Sequence, residues 1–175
     1  MAAQYQVRRA RVKDLGRIQE IENSSFGREA YDRKLFADYL NNCGELFLVA
    51  EYRRVICGYL ISCLRGLAAV PRAELVSVAV DPAFRGSGTA SALLESTLRR
   101  LRRRGAISLN LMVRVANRPA LAFYEKYGFR RLRIVPGYYE DGGDGIAMSR
   151  PVSRALRTPS PPKLVRRRPG RRHSA

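Results

Sequence analysis

Apolar positions recur along this chain at two different periods. Tyr5 to Arg9 alternates in the manner of an edge strand, and Leu15, Ile18 and Ile21 then repeat at three-residue spacing. This predicts a helix from Asp14 to Glu22, broken by Asn23-Ser24-Ser25. Residues 29–41 predict a second amphipathic helix through Leu35, Phe36, Tyr39 and Leu40. Two apolar runs, Leu46 to Tyr52 and Val55 to Leu64, are separated only by Arg53-Arg54, which implies an antiparallel hairpin.

The second half alternates strand and helix. Gly66 to Pro71 reads as a loop and Glu74 to Val80 as a strand. Residues 88–103 form a helix with Leu93, Leu94, Leu98 and Leu101 inward, ended by Gly105. Ile107 to Val115 is a buried strand. Asn117 caps a helix from Ala120 to Tyr127, with Pro119 in its first turn and Gly128 stopping it. Phe129 to Val135 is a strand, Pro136 to Gly145 is turn-rich, and Ile146 to Met148 is a last short strand. The order β-α-α-β-β-β-α-β-α-β-β predicts an α/β domain with a mixed central sheet flanked by helices, over residues 1–150. Residues 151–175 are Pro, Arg and Ser with few apolar positions, a basic tail predicted to be disordered.

Composition narrows the function classes. No run of 18 apolar residues exists to span a membrane, and the N-terminus enters a strand pattern without an apolar signal region. Cys43, Cys57 and Cys63 lack metal-ligand spacing and read as buried, reduced thiols of a cytoplasmic protein. The only histidine, His173, lies three residues from the end, which argues against a histidine metal site or a Ser-His-Asp triad; no metal is expected. The net charge is +18, of which the tail's seven arginines and one lysine supply +8. Such a balance suits a nucleic acid, a ribosome, an acidic surface or an anionic cofactor, although 29 Arg against 4 Lys also fits a genomic base bias.

The candidate chemistry starts at Val78-Ala79-Val80-Asp81-Pro82-Ala83-Phe84-Arg85-Gly86-Ser87-Gly88-Thr89-Ala90. A glycine loop between a strand and a helix exposes backbone N–H groups at the positive end of a helix dipole, a ready seat for a phosphate. The loop has neither the Gly-Lys-Ser/Thr ending of a P-loop nor a G-x-G-x-x-G fingerprint.

Arg85-x-x-Gly88-x-Ala90 instead resembles the pyrophosphate loop of the GCN5-related N-acetyltransferases, the GNAT family. Asn117-Arg118-Pro119-Ala120-Leu121-Ala122-Phe123-Tyr124-Glu125-Lys126-Tyr127-Gly128-Phe129 is close to that family's N-x-x-A-x-x-x-Y-x-x-x-G-F segment. The predicted element order is that of the GNAT fold, and the resemblance covers roughly residues 4–150. Within the family, Ser77 to Pro82, Val113 to Asn117 and Pro136 to Tyr139 are most similar to RimI-type ribosomal-protein alanine N-acetyltransferases.

The resemblance implies acetyl-CoA as cosubstrate. It places the amides of Arg85, Gly86, Ser87, Gly88, Thr89 and Ala90 on the pyrophosphate. The backbone of Val78, Ala79 and Val80 lies along the pantetheine arm, with an oxyanion donor near Val80. It makes Tyr124 the general acid for the departing thiolate and sets Asn117 against the arm. Read without the resemblance, Tyr124 is a core aromatic and Asn117 a plain cap.

The resemblance puts Tyr31, Tyr138 and Tyr139 in loops that line the family's acceptor groove; read without it they are turn and edge aromatics. RimI-type enzymes carry a glutamate base where this chain has Met112, which cannot accept a proton. Glu74 is the candidate replacement because it shares strand parity with Val78 and Val80; otherwise it is a solvated strand-end carboxylate.

The expected acceptor is a protein N-terminus, including that of a ribosomal protein. An α-amine of pKa 7.7–8.0 is roughly 10–15% neutral at pH 7, a cost of about 1.2 kcal/mol, against about 4.6 kcal/mol for a lysine near 10.4. A weak base therefore suits an α-amine. A small-molecule amine, a lysine, or a catalytically weak acetyl-CoA-binding module are the alternatives. The tail is either without function or a tether to ribosomal RNA or another polyanion.

Overall fold

The alternating segment near the N-terminus forms β1 (Gln6–Arg9), the edge of one seven-stranded sheet in a computed structural model that describes residues 4–152. Helix α1 (Leu15–Phe26) and α2 (Arg33–Cys43) follow, then β2 (Phe47–Tyr52), β3 (Val55–Arg65) and β4 (Arg72–Val80). Helix α3 (Thr89–Arg103), β5 (Ser108–Arg114), α4 (Arg118–Lys126), β6 (Arg130–Val135) and β7 (Gly145–Pro151) complete the chain. The strand order is β1-β2-β3-β4-β5-β7-β6, and only the β4–β5 pair is parallel.

Each sheet face has its own core. Leu93, Leu94, Leu98 and Leu101 of α3 and Leu121 and Tyr124 of α4 pack with Leu60, Leu75, Leu109, Leu111 and Met148. On the opposite face Leu15, Ile18 and Ile21 of α1 and Phe36 and Leu40 of α2 pack on Phe47, Val49, Tyr59 and Ile61. The hydrophobic periods read from the sequence therefore point inward on both layers.

Four sequence expectations are corrected. Helix α1 runs through Asn23-Ser24-Ser25 because the Ser24 hydroxyl donates to the Ile21 carbonyl and the Gln19 amide reaches Asn23, so these polar residues are satisfied within the helix. The second helix starts at Arg33, with Asp32 as its cap accepting from the Leu35 N–H, rather than at residue 29. Cys43 and Cys63 are joined in a disulfide, with Cα atoms 4.8 Å apart, and are not the reduced thiols expected; Cys57 is free and buried. Finally, β7 extends through Pro151, and Val152 is buried with its N–H on the Ile107 carbonyl. The predicted tail from residue 153 onward lies outside the described residues.

Candidate active site

Strands β4 and β5 pair only over Arg72↔Ser108, Ala73↔Leu109 and Glu74↔Asn110, although β4 continues to Val80 and β5 to Arg114. Beyond Glu74 the two strands part and leave a cleft in the sheet. The Asp81 N–H donates to the Cys57 carbonyl on β3, so strand alternation turns the N–H groups of Val78 and Val80 to the other edge, into the cleft. An extended polar ligand can bond there as a strand would.

The loop that follows has a geometry that can seat an anion. Asp81 accepts from the Ala83 N–H and pairs with Arg17 of α1; these interactions hold its carboxyl below the usual carboxylate range and anchor the loop's start. Gly86 and Gly88 sit at φ 72° and 91°, left-handed positions that other residues adopt only under strain. Helix α3 begins without a side-chain cap, so its first-turn N–H groups face outward with the positive end of the dipole. Arg85 is exposed beside them, its Nε within 3.4 Å of the Val80 carbonyl. Gly58 on β3 admits this helix: a Cβ there would lie 2.8 Å from the Ala79 carbonyl and 3.0 Å from the Thr89 methyl.

Tyr124 is 6% exposed, in edge-on contact with Phe123 and Phe129 at 5.4 Å. Burial, followed by the neighbouring Tyr139, raises its phenol well above the ordinary value, so it stays protonated at physiological pH. Asn117 does cap α4: its side chain accepts from the Ala120 N–H at 3.2 Å.

Glu74, Met112 and Tyr138 line one open pocket of about 430 Å³, with Arg65, Arg72, Asn110, Leu132 and Ala147. The parity argument for Glu74 fails. A bulge between the paired positions Leu75 and Ser77 inserts Val76, which slips the side-chain alternation by one. Ala73, Leu75 and Val78 lie toward the α3 core, while the Ser77 hydroxyl meets the Tyr59 hydroxyl on the α1–α2 face. Glu74 therefore faces away from Val78 and Val80, into the pocket, where it pairs with Arg65 at 3.1 Å. Met112 forms a wall against Gly145, where a Cβ would lie 2.8 Å from the Met112 sulfur and 3.2 Å from Tyr138 Cβ.

Tyr31 is brought to the same region. Its phenol is pushed up to about 12 by burial and then by Tyr39, Glu22, Tyr138 and Glu74 around it. The Tyr31 N–H donates to buried Glu22 at 2.9 Å, and its carbonyl accepts from Gln19 at 2.7 Å. Burial raises the Glu22 carboxyl, although the Tyr31 N–H and the Tyr59 hydroxyl both favour its charged form.

Sequence reasoning missed the brace between the α1–α2 loop and the β6–β7 loop, the second of which supplies Tyr138 to the pocket. Arg114, at the end of β5, reaches Glu29 between α1 and α2 at 2.5 Å and Asp141 between β6 and β7 at 2.9 Å. Its guanidinium lies 3.9 Å from the centre of the Tyr139 ring. Arg114 was visible in the Val113-Arg114 motif, but nothing local to Glu29 or Asp141 marks them as its partners. Gly143 leaves room for the brace, since a Cβ there would lie 2.6 Å from the Arg114 guanidinium.

Known proteins share this fold. The acetyltransferase (GNAT) family model matches residues 14–129. An N-alpha-acetyltransferase of Saccharolobus solfataricus is 32% identical over 157 residues, 85% of this chain and 93% of that protein. The crystal structure of the ribosomal-protein-S18-alanine N-acetyltransferase from Escherichia coli superposes with a TM-score of 0.74 at 30% identity, covering 89% of this chain and 98% of that one. Chaetomium thermophilum Naa20, crystallised with a bisubstrate analogue, gives a TM-score of 0.75 at 27% identity over 83% and 86% of the two chains.

Proposed function

The chain belongs to the acetyltransferase (GNAT) family, and from that premise we propose that it transfers the acetyl group of acetyl-CoA to the N-terminal α-amine of a protein or peptide by direct attack. The observation that carries this reading is the parting of β4 and β5. It sets an uncapped helix N-terminus and a free strand edge beside a pocket open to an acceptor chain.

Acetyl-CoA supplies the activated thioester. The amides of Gly86, Gly88, Thr89 and Ala90 hold its pyrophosphate, those of Arg85 and Ser87 being turned back onto the Pro82 and Phe84 carbonyls, and the Arg85 side chain adds a positive charge. The free edge of β4 at Val78, Ala79 and Val80 orients the pantetheine arm, the Val80 N–H faces charge developing on the carbonyl oxygen, and Asn117 lies against the arm. Tyr124 delivers a proton to the sulfur as it departs; its buried phenol is protonated at physiological pH. Glu74, reaching through water, takes the proton from the amine. Tyr31, Tyr138 and Tyr139 hold the acceptor backbone. No step uses a metal.

Relatives named for N-terminal α-amines and for a ribosomal-protein alanine favour this acceptor, and the weak base set by Met112 agrees with it. The test is coenzyme release with an Ala-starting peptide against the same peptide N-blocked and carrying a free lysine. Faster turnover of the lysine would overturn the reading. Tight acetyl-CoA binding with no turnover of any amine would favour a binding module.

With such an acceptor, a ribosomal protein included, the proposed location is the cytoplasm. The basic tail is proposed to tether it to ribosomal RNA or another polyanion. Truncation after Val152, which spares the buried end of the sheet, should weaken RNA or ribosome binding at low salt while leaving peptide turnover unchanged. Unchanged binding would refute the tether.

A further inference from the structure

We propose that the open sheet face beyond the acceptor pocket is a second subsite that reads acidic side chains at positions two to four of the acceptor, making acidic N-termini the preferred class. This rests on the N-terminal acetylation reading and adds to it a sequence preference.

On this face α1 and α2 pack against β2, β3 and β4, and the pocket opens where they end, over β5 and β7. Its floor is apolar, with Met112, Ala147 and Leu132, and Glu74 is the one carboxylate among its lining residues. Arg65 and Arg72 form the wall on the β3–β4 side. Cross-strand register builds the opposite wall. Asn110 lines the pocket, Ser149 lies opposite it and donates to it at 2.6 Å, and Arg130 lies opposite Ser149. Met112, Ala147 and Arg133 form the next row.

Residues directly opposite one another share a sheet face, so Arg130 and Arg133 stand on the pocket side. Arg131, between them, is turned the other way and pairs with Glu125. Arg65 is matched by Glu74, whereas Arg72, Arg130 and Arg133 form no ion pair among the described residues.

The distances suit the first few residues of an extended peptide. With its first residue against Met112, the chain advances about 3.3 Å per residue, and strands lie about 4.8 Å apart. Arg133, two strands from Met112, is therefore about three residues away, and Arg72, one strand over and opposite Ser108, is about four residues away. Guanidinium groups bind carboxylates in a fork, so acidic side chains at positions two to four meet partners that lack one.

The experiment compares coenzyme release by the full chain with peptides starting Ala-Glu-Glu-Glu, Ala-Gln-Gln-Gln and Ala-Lys-Lys-Lys, at low and high salt. The acidic peptide should exceed the glutamine peptide about ten-fold in kcat/KM, as expected of several exposed ion pairs together, and the lysine peptide should be slowest. High salt should shrink the differences. Arg72→Gln with Arg130→Gln and Arg133→Gln should bring the acidic peptide down to the rate of the glutamine peptide.

Equal rates, or a preference the triple variant leaves intact, would overturn the subsite. So would an RNA oligonucleotide that inhibits all three peptides alike and loses its grip in the triple variant, because the face would then belong to a nucleic acid. Silence with every peptide, alongside turnover of a free lysine, would instead sink the N-terminal reading on which the subsite depends.

Discussion

The two sides of the cleft are made differently. The proposed cofactor side is one contiguous stretch, Val78 to Ala90, and it presents backbone N–H groups whose directions are set by a strand end, two left-handed glycines and a helix start. The proposed acceptor side draws on three distant segments, around Tyr31, around Met112 to Arg114 and around Tyr138 to Asp141, and it presents side chains. A backbone site tolerates drift in side-chain identity, whereas a side-chain site changes with each substitution. The same fold can therefore keep its donor while changing its acceptor.

The largest separation of the two sides should come from Tyr124→Phe. Removing the proton donor is expected to lower kcat by about 10²–10⁴-fold, while coenzyme affinity and peptide KM stay near native. Native turnover would assign Tyr124 to the α3–α4 core alone. Gly88→Val comes next. At φ 91° a β-branched residue costs about 1–3 kcal/mol, so acetyl-CoA affinity should fall about 10–100-fold by titration, with peptide KM unchanged at saturating cosubstrate. A parallel loss of peptide affinity would break the division between the sides.

Arg114→Met reverses the pattern. It releases Glu29 and Asp141 together, and peptide KM should rise about ten-fold with coenzyme affinity intact. Reduction of Cys43–Cys63 should act on the same side but more weakly. The bridge closes a loop of 20 residues and pins the end of α2, whose Tyr39 ring lies 6.1 Å from that of Tyr31. A reductant should lower unfolding stability by about 2–4 kcal/mol and raise peptide KM a few-fold, leaving coenzyme affinity alone.

This division also decides what could be read from the sequence. Motifs within one segment announce themselves: the Gly86-Ser87-Gly88 loop, the Asn117 cap and the hydrophobic periods of α3 and α4 were legible because local spacing determines them. The bulge at Val76 was not, since an extra residue in a strand shows only against its partner, and it turned Glu74 to the opposite face from the one its parity implied. The Cys43–Cys63 bridge and the Arg114 brace join segments 20 or more residues apart and depend on the finished fold. Polar residues misled in α1, where Ser24 continues the helix by bonding back to Ile21.

The smallest expected effect bears on Glu74, and its size is part of the argument. An acceptor α-amine of pKa near 7.7–8.0 is short of its neutral form by only about 1.2 kcal/mol at pH 7, so a base can gain at most about eight-fold by supplying it. Glu74→Gln should then cost a few-fold in kcat/KM at pH 7 and progressively less as pH rises through 8, where the amine deprotonates unaided. The sign follows from the neutral amine being the nucleophile: rates rise with pH in both proteins, and the two profiles converge. Met112→Glu places a second carboxylate in the same pocket and should bring the neutral-pH rate of the Glu74→Gln variant back toward native. Parallel profiles, with a constant deficit at every pH, would mean that Glu74 positions Arg65 and the pocket wall rather than handling a proton.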